Sequence, residues 1–102
     1  MLKSEFDKAK HFCLQFVRGA LVLSAFDVID FNEKIPGVIL RCNNKAFSGY
    51  YYQYVYHRFK ELNVLEYFDI KSYNNSVHVI VKKQYAKQID RLELLFELKE
   101  IY

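Results

Sequence analysis

Apolar residues recur at helical spacing from the start of the chain. Phe6, Ala9, Cys13, Phe16 or Val17, and Ala20 share one stripe behind a Ser4/Asp7 cap signal, which predicts a first helix from about Glu5 to Arg18, loosened at Gly19. ALVL (20–23) reads as a further helical turn or a very short strand. Ser24 and Asp27 repeat the cap pattern, and Phe26, Val28 and Ile29 predict a short second helix that stops before Pro36. GVILRCNN (37–44) reads as a brief strand or buried loop, and a third helix is predicted from Ala46 or Phe47 to Leu62.

Farther along, LEYFDIKSY and SVHVIVKK flank Asn74-Asn75, and alternation on both sides of a two-residue turn predicts a β-hairpin. The turn sets the register: Tyr73 opposite Ser76, Lys71 opposite His78, Asp69 opposite Ile80 and Tyr67 opposite Lys82. Phe68, Ile70, Val77, Val79 and Val81 then pack on the helices. Tyr67, Lys71, Tyr73, His78 and Lys82 form the outer face, interrupted by Asp69 and Ile80. Tyr85, Ile89, Leu92 and Phe96 predict a final helix.

The third helix holds GYYYQYVYHRF, with five tyrosines in seven consecutive positions. At about 100° per residue, Tyr51, Tyr52, Val55, Phe59 and Leu62 fall on one arc, the expected buried stripe. Tyr50, Gln53, Tyr54, His57, Lys60 and Glu61 fall on the opposite arc, with Tyr56 and Arg58 on the flanks. Helix and hairpin thus each present an outer face of tyrosine, histidine and lysine. Aromatic rings stack with unpaired bases at about 1–3 kcal/mol each, while lysine and arginine hold phosphates.

The element order is helix, helix, helix, hairpin, helix. Together with the helix GYYYQYVYHRFKEL, its exit NVLEYFDI, the Asn74-Asn75 turn and the return strand SVHVIVKK, it resembles the winged-helix family of nucleic-acid-binding domains over roughly residues 20–83. The resemblance implies a single α+β domain spanning 1–102, with three helices, a β-hairpin wing and a C-terminal helix. About ten residues (34–45) separate the second and third helices, where a helix-turn-helix uses three or four. That spacing, and Gln53 as the one base-edge reader on the third helix, point to single-stranded DNA ahead of duplex DNA or RNA.

Charge sharpens this expectation. Residues 1–33 carry net −1, residues 34–87 net +6 and residues 88–102 net −2, so the cationic surface is confined to the middle of the chain. The expected binding residues are Tyr50, Gln53, Tyr54, His57, Arg58, Lys60, Tyr67, Lys71, Tyr73, His78, Lys82 and Lys83. The Lys, Asn, Ile, Phe and Tyr usage resembles coding in an AT-rich genome, and a small accessory replication protein of a mobile element would fit. The alternative is a protein-interaction module, riding on a polymerase or helicase or inhibiting a host protein, without nucleic-acid contact.

Catalytic signatures are not found. There is no Gly-rich phosphate loop and no H-E-x-x-H, and His11, His57 and His78 have no second ligand at metal spacing. Asp27, Asp30 and Glu33 read as a solvated helix face. No enzymatic activity, metal or cofactor is expected. Cys13 and Cys42 read as small buried hydrophobes, and with no signal-type or membrane-length apolar run a cytoplasmic location is expected. The apolar arc of the final helix leaves two expectations for assembly, a monomer foremost and a dimer through that helix.

Overall fold

In the computed structural model the described residues are 3–21, 28–30, 36–41, 48–73 and 76–98. The first apolar stripe forms α1, Lys3–Ala20, which buries Ala9, Phe12, Cys13, Phe16, Val17 and Ala20. Val28–Asp30 is a short strand, β1, where the pattern predicted part of a second helix. Val28 and Ile29 are β-branched, and the neighbouring strand offers a ladder that a short helix of two or three apolar positions cannot match. The rest of that predicted helix, the segment after Leu21, Cys42 and the Asn74-Asn75 turn lie outside the described residues.

Gly37–Arg41 forms β2, Phe68–Tyr73 β3 and Ser76–Val81 β4, in an antiparallel sheet of order β1-β2-β4-β3. The hairpin register is the one the two-residue turn requires, with Tyr73 on Ser76, Lys71 on His78 and Asp69 on Ile80. β2 joins through Gly37 on Ile80, Ile39 on His78 and Arg41 on Ser76. Gly37 is needed for this approach. A Cβ there would collide with the Val79 carbonyl oxygen and come within 2.7 Å of the Ile80 Cα.

α2, Ser48–Glu61, ends in a Schellman motif, in which the Val64 N–H donates to the Phe59 carbonyl at 3.1 Å and the Asn63 N–H to Lys60 at 3.0 Å. Asn63 takes the left-handed conformation, φ 59°, that the motif demands. A 3-10 turn, Leu65–Tyr67, then leads into β3. The predicted final helix is broken after Ala86 into α3, Lys83–Ala86, and α4, Ile89–Leu98. The break lets α4 cross α1, where Phe96 packs 5.2 Å from Phe12 and 5.1 Å from Phe16, centroid to centroid.

Both long helices cover the same face of the sheet. Phe12, Phe16 and Val17 of α1 and Val55 and Phe59 of α2 share one core with Val38, Leu40, Phe68, Val77, Val79 and Val81. Phe16, Phe59 and Phe68 are the hinge of this packing, with ring centroids 5.0–5.2 Å apart. The α+β class expected from the pattern is therefore present. Among the described residues the second of the three helices expected before the hairpin is contradicted, because a strand occupies 28–30. Among the described residues no helix is long and apolar enough to cross a membrane.

Candidate nucleic-acid interface

Antiparallel pairing places directly opposed residues on one face, so the sheet's outer face can be read from the register. Three rows run across it: Arg41, Ser76 and Tyr73; then Ile39, His78 and Lys71; then Gly37, Ile80 and Asp69. The β2 side is closed, with Ile39 only 9% exposed. The accessible part is the hairpin, where Tyr73 is 51% exposed and Lys71 and Asp69 face solvent.

Tyr73 does not stand alone. Its ring lies 4.3 Å from the His78 imidazole, centroid to centroid, at 42°. The two are diagonal neighbours across β3 and β4, within reach for aromatic side chains. Burial pushes the His78 pKa below the ordinary histidine value, and the Lys71 ammonium opposite pushes it the same way. Neutral His78 therefore backs the tyrosine at neutral pH, with Lys71 beside it and exposed Arg41 at the end of the Tyr73 row. Arg41 was missed from the sequence. Its signal was the alternation in GVILR, which places Arg41 with Gly37 and Ile39 once that segment is a strand.

The predicted tyrosine surface divides. Tyr50, 70% exposed, lies on the outer arc of α2 with Gln53, His57 and Lys60, all exposed. Because α2 lies on the helix-covered face of the sheet, this arc points away from the Tyr73 face. The two surfaces are on opposite sides of the molecule and form no common site.

Three predicted site residues take other roles. Tyr54, placed on the water face by the wheel, is half-buried against the core. One turn on along the same flank, α2 reaches the end of α1, where Arg58 donates from Nε to the Ala20 carbonyl at 2.9 Å. Arg58 itself is committed to that carbonyl and, through Nη1, to Glu61 at 3.2 Å. Tyr67, expected on the outer face, is 7% exposed and lies in the 3-10 turn rather than the strand. Its ring meets Tyr85 edge-on at 5.0 Å and Phe96 at 5.5 Å.

Lys82 lines a cleft beside the β3 edge with Tyr52, Tyr56 and Asp69, while Lys83 opens α3 and is exposed. Tyr52 and Tyr56, one turn apart on α2, stack at 6.0 Å in that cleft. Burial raises the Cys13 thiol to about 12, and its Sγ donates to the Val79 carbonyl at 3.3 Å. Among the described residues no group of three His, Cys, Asp or Glu side chains is arranged to hold a metal ion. No protein-family model, curated protein or solved structure matches this chain.

Proposed function

We propose that the protein binds single-stranded nucleic acid, DNA foremost, on the outer face of the hairpin, which serves as a wing in a winged-helix-like arrangement. The observation that carries this reading is Tyr73, half exposed and packed 4.3 Å from His78, beside Lys71 and in the row of Arg41. A tyrosine held by a second ring is a preformed stacking platform for a base, and the flanking cations suit the backbone phosphates. The role is binding rather than catalysis, and an accessory part in replication of a mobile element fits it. The Tyr50 face is outside this site.

The test is fluorescence anisotropy of a labelled oligo-dT at two salt concentrations. Binding should weaken steeply with salt, and Lys71→Gln should reduce the slope by about 0.7, the contribution of one single-strand phosphate contact. A protein that fails to bind the oligonucleotide at low salt would sink the proposal.

A second reading, a protein-docking module, is favoured by one observation. Leu94 is 59% exposed beside a largely apolar cleft of about 340 Å³ that Tyr85, Arg91 and Leu95 also line.

A further inference from the structure

Among the described residues β3 is the outer strand of the sheet, with no strand paired on its far side. The Lys82 N–H donates to the Tyr67 carbonyl at 2.9 Å, which fixes the phase of the hairpin ladder. Residues 69, 71 and 73 therefore turn their backbone groups toward β4, and residues 68, 70 and 72 turn theirs to the edge. The Phe68 N–H is taken by the Leu65 carbonyl. Among the described residues the Phe68 carbonyl and both backbone groups of Ile70 and Ser72 have no backbone partner, and they face outward along an extended strand with no proline.

We propose that this edge pairs with the same edge of a second copy of the chain, antiparallel about a two-fold axis at Ile70, making one continuous eight-stranded sheet. The charges select both the partner and the register. Centring the axis on Asp69 sets Asp69 against its own copy, and centring it on Lys71 sets Lys71 against its own copy, both unfavourable. Centring it on Ile70 sets Asp69 opposite the partner's Lys71, and Lys71 opposite the partner's Asp69. These pairs fall at the non-hydrogen-bonded positions, where opposed side chains approach most closely. Ile70 on the partner's Ile70 exchanges two backbone hydrogen bonds, and Ser72 N–H to the partner's Phe68 carbonyl adds one on each side.

The space beside the edge suits this occupant. Ile70 is half-buried in a cleft of about 300 Å³ that Tyr52, Tyr56 and Leu65 line on the helix-covered side. The partner's Ile70 enters on that side, directly opposite its counterpart. α4, the dimer element considered from the sequence, already uses Ile89, Leu92 and Phe96 in the core of its own chain. The proposal stands independently of any nucleic-acid binding.

Light scattering over a hundredfold concentration range tests it, with the melting temperature followed to confirm folding. A mass approaching twice 12.3 kDa is expected. Asp69→Lys and Lys71→Asp should each weaken dimerisation by roughly tenfold or more, because two-fold symmetry makes each reversal act twice. The double exchange should restore it. A constant monomer, a dimer indifferent to both single reversals, or one abolished instead by Leu94→Glu on α4 would overturn the proposal.

Discussion

Arg58 of α2 caps the last residue of α1: its Nε donates to the Ala20 carbonyl at 2.9 Å. That carbonyl is one of those a helix leaves without an intrahelical partner at its C-terminus, and a cation there also suits the helix dipole. Arg58→Ala should lower stability by about 1–2 kcal/mol, since the guanidinium is partly exposed and water replaces some of the lost bond. Chemical denaturation measures this. The salt slope of oligonucleotide binding should not move, and a shallower slope would return Arg58 to the binding surface.

Tyr73 and Tyr50 separate the two faces of the molecule. Tyr73→Ala should cost little stability and lower oligonucleotide affinity by about 1–3 kcal/mol, the value of one base–aromatic stack. Tyr50→Ala, at the more exposed tyrosine on the far side, should leave affinity unchanged. Anisotropy titrations of the two variants decide the matter. Loss of binding with Tyr50→Ala alone would move the site to α2.

If the hairpin face binds nucleic acid, His78 should make stability and binding respond to acid in opposite directions. Burial and Lys71 lower its folded-state pKa, so between the ordinary value of about 6.5 and the folded value the unfolded chain holds more protons. Stability then rises with pH in that window: the contribution is present above about 6.5 and lost as pH falls. Bound phosphate favours the protonated imidazole, so oligonucleotide affinity should rise as stability falls. Melting temperatures and anisotropy from pH 7.5 to 5 for the wild type and His78→Gln check both signs. A variant with the same two pH slopes as the wild type would rule His78 out as their source.

The hairpin could be read residue by residue because a two-residue turn dictates register, and register dictates face. Phe68, Val77, Val79 and Val81 are buried, and Lys71 and Tyr73 exposed, as alternation requires. The same rule failed at Tyr67, since alternation holds only while the backbone is extended and the 3-10 turn ends that at Phe68. A helical wheel gave Val55 and Phe59 as core but not Tyr54 or Arg58. It carries the period of one helix and says nothing of how many neighbours cover it, and α2 has two. That the two tyrosine faces form no common site was not legible either. Each element has an outside, but only the packing of α2 on the inner face of the sheet shows that the two outsides are opposed.

Tyr67 gives a direct test of that boundary between turn and strand. As an outer-face residue it would be replaceable without loss of stability, and its removal would weaken nucleic-acid binding. In the structure it is a buried ring wedged edge-on against Tyr85 and Phe96, and its carbonyl accepts the Lys82 N–H at the root of the hairpin. Tyr67→Ala should therefore cost about 3–5 kcal/mol, as for a large aromatic lost from a core. At roughly 4–8 °C per kcal/mol for a domain of this size, the melting temperature should fall by more than about 10 °C. Tyr67→Phe keeps the ring and both aromatic contacts, and should recover most of that loss. An alanine variant as stable as the wild type, with weakened oligonucleotide binding, would place Tyr67 back on the outer face and undo the assignment of the 3-10 turn to the core.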